Sequence, residues 1–210
     1  MTRWALFSIA CVMLLSSRVS AAGPKPITDA DTVLAIYNED WGLASEGGPQ
    51  LIFCLWEDGT VVWSEDQLKG GAPFQTAKLP PEALSKTLKR FDDRGAFDLP
   101  AKNRSHWGPD SRFTKIVVRG TGGQLELESW HELSEAGGKA IADAHGLRGL
   151  EAGEKLIPAL ATQPAEYLHF RLVWLEVRLA AANLIPKSGA PVTGTATMHA
   201  GKLTWRPEVE

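Results

Sequence analysis

Apolar residues occur along the chain in short runs that are typical of β-strands and are separated by turn signals. The run "LIFCLWEDGTVVWSE", residues 51–65, is interrupted by Asp58-Gly59, a pair typical of tight hairpin turns. A two-residue turn at this pair predicts that Trp56 lies opposite Val61. Because both faces of this first hairpin are apolar, we expect it to be central in a sheet and covered on both sides.

A second hairpin is predicted in the stretch "SRFTKIVVRGTGGQLELESWH". A four-residue loop over residues 120–123 places Ile116 opposite Leu127 and Lys115 opposite Glu128. One face of the hairpin is then apolar, and the other carries Lys115 and Glu128 as a cross-strand charge pair. This alternation is typical of an antiparallel pair of strands with one face in water.

Two stretches have the apolar spacing of helices. Residues 80–97 begin with prolines, repeat apolar residues at helical intervals and meet a natural stop at Gly95. The clearest helix is predicted over residues 164–186, where a wide apolar stripe indicates burial across a sheet face. The stripe consists of Leu168, Leu172, Leu175 and Leu179, with Phe170, Val173, Trp174 and Val177 beside it.

The order of these elements predicts the fold class. A strand over residues 32–38 precedes the first hairpin, and residues 190–208 have the composition of one or two late strands. Residues 132–162 are rich in Gly and Ala and show no clear period. We therefore expect an α+β fold, an antiparallel sheet built from two β-hairpins with two main helices packed on it. It forms a single globular domain over residues 32–210, after a short polar leader at residues 23–31.

The first 22 residues have the layout of a secretory signal peptide. Arg3 supplies the positive start, residues 4–15 form an apolar run, and small residues follow at a cleavage position near residues 19–22. The run is too short for a good membrane span, and an uncleaved anchor is the alternative. We therefore expect an exported protein, periplasmic or extracellular, without a transmembrane segment after cleavage.

The charge of the chain limits the class of partner, and its cysteine content limits the disulfides that can form. Loss of Arg3 and Arg18 would leave 20 basic and 25 acidic residues, a net charge of about −5. An acidic chain without a basic run argues against nucleic acid and anionic membranes as partners. Cys54 would be the remaining cysteine, so no intramolecular disulfide is expected, and its strand context predicts burial as a small hydrophobic residue.

The richest cluster of titratable residues is predicted at the open end of the second hairpin. The register places Arg112 opposite His131, so that the stretch "RSHWGPDSR" enters the sheet beside "WHELSE". His106, Asp110 and Glu132 then join these two residues. At no other place does the sequence predict that several titratable groups from distant positions meet.

Three roles are open for this cluster. Two histidines with a carboxylate are a donor set for zinc or another divalent ion, and a histidine–carboxylate pair suits general acid–base catalysis. Neither a zincin motif nor a nucleophile elbow accompanies them. The third role is structural: Arg112 pairs with an acidic side chain and His131 bonds the loop backbone. No cofactor is predicted, and a divalent metal is the alternative that the cluster allows.

Tryptophan content adds a second hypothesis. Seven tryptophans remain after the predicted cleavage. Large core residues are one explanation, because Trp buries much area for each side chain. The other is an exposed aromatic platform for sugars or peptides, for which Trp41 and Trp107 are the candidates.

These features favour a binding or interaction module of the cell envelope or periplasm, with a glycan or a protein as partner. The alternative is a metal-dependent or histidine/carboxylate acid–base enzyme at the open end of the second hairpin. The two hypotheses differ in what they require of His106, Asp110, His131 and Glu132. The enzyme needs them within bonding distance in a concave pocket, whereas the binding module does not.

Overall fold

In the part of the chain that the structure describes, an eight-stranded sheet carries two helices on one face and a two-stranded hairpin on the other. The structure is a computed structural model, and it describes residues 27–28, 30–40, 49–105, 112–129, 165–199 and 202–208. In chain order the elements are β1 (Thr32–Asp40), β2 (Gln50–Trp56), β3 (Thr60–Ser64), β4 (Phe74–Lys78), α1 (Pro81–Asp93), β5 (Lys102–Ser105), β6 (Arg112–Gly120), β7 (Gly123–Ser129), α2 (Ala165–Leu184), β8 (Ala190–Val192), β9 (Gly194–His199) and β10 (Lys202–Pro207).

The strand order of the large sheet is β5-β7-β6-β1-β2-β3-β4-β8. Neighbouring strands are antiparallel except for the parallel pair of β5 and β7. The predicted α+β class is therefore confirmed, but two hairpins alone do not build the sheet. Strand β1 lies between them, and β5 and β8 extend its edges. These edge strands have four and three residues, which is too short for an alternating pattern to reveal.

The first hairpin, β2–β3, has a different register from the predicted one. Leu55 lies opposite Val61, one residue away from the predicted pairing of Trp56 with Val61. The Gly59 N–H donates to the Trp56 carbonyl at 2.9 Å, and Gly59 has a φ of +80°. The connection is thus a three-residue loop in which glycine takes the left-handed position after a type I turn. The slip of one residue exchanges the two faces of β3 relative to those of β2, so that Cys54 and Trp56 share a face with Val62 and not with Val61.

The prediction that the first hairpin is covered on both sides is confirmed, because all its strand residues except Gln50 are buried. We call the side packed by α1 and α2 the helix-side face, and the side packed by the covering hairpin β9–β10 the hairpin-side face. The helix-side core includes Phe53, Leu55, Val61, Phe91, Trp174 and Val177. The hairpin-side core includes Tyr37, Cys54, Trp56, Val62, Leu203 and Trp205.

The register of the second hairpin, β6–β7, is confirmed. Lys115 lies opposite Glu128, and the chain reverses more tightly than expected because Gly120 pairs with Gly123. The predicted four-residue loop is therefore a two-residue one. A Cβ atom at Gly120 would lie 2.6 Å from the ring of Phe97, so the close approach of that ring requires a residue without a side chain.

Both predicted helices are present, but α2 turns a different face to the core than the leucine stripe indicated. Leu172 is 67% exposed and Leu179 is 52% exposed. The helix has two apolar faces, and the one with the aromatic residues packs on the sheet because it buries more area. The buried residues of α2 are Phe170, Arg171, Val173, Trp174, Val177, Ala180, Ala181 and Leu184.

The structure also tests the predicted end of the first helix and the predicted burial of Cys54. Helix α1 ends before Gly95, which has a φ of +68° as a helix stop requires. Cys54 is buried, and burial raises the pKa of its thiol well above the ordinary value. Ile27, in the predicted leader, donates its N–H to the Trp205 carbonyl and packs on the hairpin-side core. Neither helix of the described residues is long and apolar enough to cross a membrane.

Candidate functional site

Four strand ends lie side by side and form one edge of the sheet. This edge consists of strand ends and is distinct from the outer strands β5 and β8. Strands β1, β7 and β5 run in the same direction and end there, and β6 begins there. The register aligns Asp40 with Arg112, Thr114 with Ser129, and Ser129 with Ser105. Because adjacent strands are about 4.8 Å apart, these four ends span only about 15 Å.

This edge is the place where the sequence predicts the titratable cluster, and the two tryptophans of the predicted aromatic platform are close in sequence to the strands that end here. Arg112 is the first residue of β6, and the alignment of Thr114 with Ser129 is the register from which its position opposite His131 was predicted. The other predicted residues follow or precede the four strand ends by a few positions. They lie outside the described residues, so their convergence stays a prediction: His106, Asp110, His131, Glu132, Trp41 and Trp107.

A pocket of about 320 Å³ lies on the hairpin-side face next to this edge. The covering hairpin packs against the half of this face formed by β1 to β4, and the pocket opens over the other half. The side chains at its wall alternate along the strands with residues of the helix-side core. They are Tyr37 of β1, Lys115 of β6, Glu126 and Glu128 of β7, and Lys102 of β5.

Glu128 is the most buried carboxylate of the pocket. Its side chain is 12% exposed, and Oε2 accepts hydrogen bonds from Arg104 Nε at 3.0 Å and Nη2 at 2.8 Å. Oε1 is buried and has no hydrogen-bond partner among the described residues. A ligand that donates a hydrogen bond to such an acceptor binds more tightly, because folding has already removed the acceptor from water and binding costs no further desolvation of it.

The remaining charges of the pocket are arranged in pairs. Lys115 forms an ion pair with Glu39 and lies opposite Glu128 in the register. Lys102 Nζ lies 3.4 Å from Glu126 Oε2, and both of these side chains reach solvent. Among the described residues, positive and negative side chains therefore alternate across the pocket wall, and these residues carry no excess of either sign.

Tyr37 is almost completely buried, with a side chain that takes part in the hairpin-side core. Burial raises the pKa of its phenol, and the negative charges of Glu39, Glu126 and Glu128 raise it further. The phenol therefore stays protonated at neutral pH and serves as a hydrogen-bonding group rather than as a base.

Sequence reasoning found the pairing of Lys115 with Glu128 but missed Tyr37, Glu39, Lys102 and Arg104. Strand alternation was a signal for the first two, because it places Tyr37, in the strand predicted over residues 32–38, on the same face as Glu39 just after it. The other two come from β5, whose parallel pairing with β7 leaves no local trace in the sequence. Among the described residues, no group of three His, Cys, Asp or Glu side chains is placed to hold a metal ion.

Four tryptophans are buried in the core. Core packing was one of the two explanations that the sequence allowed for the high tryptophan content. The four are Trp56, Trp63, Trp174 and Trp205, which are all buried.

No protein-family model and no curated protein matches the chain. Function is therefore inferred from the geometry of the described residues.

Proposed function

We propose that the protein is an exported binding module that holds a neutral sugar or short glycan in the pocket beside the open end of the second hairpin. The observation that carries this proposal is the buried Oε1 atom of Glu128, an acceptor without a hydrogen-bond partner among the described residues, in a pocket of ligand size. A sugar hydroxyl supplies the donor that this atom lacks. Export rests on the predicted signal peptide.

The balance of charges favours a neutral ligand. The ion pairs of Lys115 with Glu39, Lys102 with Glu126, and Arg104 with Glu128 already offset the charges around the pocket. A ligand with a net charge would have to displace one of these partners and would leave a charge without its counterpart. A polyol exchanges its hydrogen bonds with both signs of charge and needs no such displacement.

The state of Tyr37 suits a hydrogen-bonding role and argues against this residue as a catalytic acid or base. A catalytic acid or base needs a pKa close to the working pH, whereas burial and nearby carboxylates move the pKa of Tyr37 away from neutrality. An enzyme at this edge would depend on His106 and His131. The proposed exposed pair, Trp41 and Trp107, would extend the sugar-binding surface from the same strand ends.

The direct test is a thermal melt and isothermal titration of the chain without its first 22 residues against mono- and oligosaccharides. A ligand that binds the folded state raises stability by about 2.7 kcal/mol at a hundredfold excess over its dissociation constant. We expect Glu128→Gln to abolish this rise. Glu82→Gln, the same change at an exposed position of α1, is the matched control and should retain it.

The same melt separates the binding module from the enzyme. Zinc, manganese and EDTA are added in parallel with the sugars. A metal-dependent rise that His106→Ala and His131→Ala both remove would support the enzyme instead. A sugar response that Glu128→Gln leaves unchanged would place the ligand elsewhere and would contradict the proposal.

A further inference from the structure

Helix α2 presents a continuous row of leucines on the face that points away from the sheet. The row consists of Leu168, Leu172, Leu175 and Leu179, of which Leu172 and Leu179 are more than half exposed and the other two are partly buried. Isolated exposed leucines are common in folded proteins, but a contiguous apolar row indicates an interaction surface.

The loop between β3 and β4 extends this surface. Leu68 at the tip of the loop is 60% exposed, and a groove of about 570 Å³ separates the loop from α2. Leu175, Leu179 and Ile185 supply the apolar wall of the groove, and Gln67 lies on the loop side. The groove thus lies along the leucine row of the helix, and the exposed Leu68 is next to Gln67 on the loop.

Hydrogen bonds from Asn38 and Arg178 hold the loop in place. Asn38, inside the sheet, donates from Nδ2 to the carbonyl oxygens of Leu68 and Lys69, each at 3.0 Å. Arg178 of α2 donates from Nη2 to the Gln67 carbonyl at 3.2 Å. A surface that is already ordered loses little entropy when it binds.

The spacing of the row indicates what covers it. Intervals of four, three and four residues are those of the a and d positions of a coiled coil, and they read the same in both directions. When two such helices pack antiparallel, Leu172 meets the partner's Leu175 and Leu168 meets the partner's Leu179. Each leucine therefore meets a leucine, as a two-fold symmetric interface between identical subunits requires.

We propose that α2 is a homodimer interface in which the leucine rows of two copies of this chain pack antiparallel. A 20-residue helix is about 30 Å long, so one helix pair forms an interface at the small end of the range for stable dimers. The dimer is therefore weak, with a dissociation constant on the order of 10 μM.

Sedimentation velocity of the chain without its first 22 residues tests the association. The expected result is a concentration-dependent shift from monomer to dimer between about 1 and 100 μM. Leu172→Glu should remove the shift, whereas Asn183→Glu, at an exposed position of α2 outside the row, should leave it unchanged. A wild-type chain that remains monomeric at several times the highest concentration overturns the proposal.

Leu172→Glu also shows whether the row packs within its own chain. In that case the variant melts at a lower temperature than the wild type while both remain monomeric, and the proposal is overturned. In the proposed dimer, the monomeric variant keeps the melting temperature that the wild type has at high dilution.

Cysteine cross-linking tests the antiparallel arrangement. Cys54 is buried, so an introduced thiol on α2 is the reactive one among the described residues. A mixture of Leu172→Cys and Leu175→Cys chains should form a heterodimer disulfide under mild oxidation, and either variant alone should cross-link much more slowly. Efficient cross-linking of Leu172→Cys with itself would indicate parallel helices and would overturn the proposed pairing.

Discussion

The two hairpins of the large sheet differ in what covers them. Both are apolar on the helix-side face, but on the hairpin-side face β9–β10 covers the first, whereas Val117 is the one described residue of the second that joins this core. Trp56 of the first hairpin donates from Nε1 to the Leu203 carbonyl at 3.3 Å, whereas Lys115 and Glu128 of the second hairpin line the open pocket. The covering hairpin thus makes one half of this face part of the core, and the pocket opens over the other half.

The largest effect on stability is expected from Trp56→Ala, which removes a core side chain from the covered half. Trp56 is fully buried between the sheet and the covering hairpin, so the change leaves a large cavity. We expect the free energy of unfolding to fall by about 3–5 kcal/mol, measured by urea denaturation. Lys102→Ala in the uncovered half is the control, because Lys102 is 80% exposed and should cost less than about 0.5 kcal/mol. Similar losses for both variants would contradict the comparison.

A smaller effect is expected at Asn38, which links the two regions through buried hydrogen bonds. Its Oδ1 accepts a hydrogen bond from the Thr114 hydroxyl at 2.7 Å, while its Nδ2 holds the loop that follows the first hairpin. Asn38→Ala leaves these groups without partners and should lower the free energy of unfolding by about 1–3 kcal/mol. Thr114→Val removes one of the bonds and should cost less. The order of the two losses in urea denaturation checks this assignment.

Glu128→Gln should separate binding from stability in the uncovered half. The amide retains an acceptor for Arg104 but loses the charge, and the side chain of Arg104 is 45% exposed, so water solvates its guanidinium when the charge of its partner is removed. We expect a change of less than about 1 kcal/mol in the free energy of unfolding, together with loss of sugar binding. A loss of 3 kcal/mol or more, measured as for Asn38, would show instead that the pocket is part of the structural core.

The smallest effect concerns pH and the turn of the first hairpin. Burial by itself raises the pKa of Asp58, but hydrogen bonds from Lys78, the N–H and hydroxyl of Thr60, and Thr28 outweigh it and hold the pKa below its ordinary value of 3.8. A lowered pKa contributes stability above pH 3.8 that is lost progressively as the pH falls below it.

Because the Asp58 side chain is 36% exposed, solvent screening keeps this contribution below about 1 kcal/mol. The measurement is the urea midpoint at pH 7 and pH 3 for the wild type and for Asp58→Asn. The variant should lose less stability than the wild type between the two pH values. An equal loss in both would show that other carboxylates cause the acid sensitivity.

Much of the fold could be predicted because local patterns agreed with it. The register of the second hairpin followed from alternation, since shifting β7 by one residue would turn Glu128 towards the helix-side core and Leu127 away from it. The cluster that the same register predicts at the open end of this hairpin lies outside the described residues and stays a prediction. The neighbouring pocket could not be predicted in full, because Lys102 and Arg104 come from β5, which pairs in parallel with β7.

The sequence by itself determined the existence and type of the long elements, since each has a period or a turn residue that suits one local structure. Only the tertiary structure decided between faces that were equally apolar. In the first hairpin, a slip of one residue exchanges one apolar face for another, so polarity sets no preference and the loop geometry at Gly59 selects the register. In α2, packing of the aromatic face on the sheet left the leucine row outside.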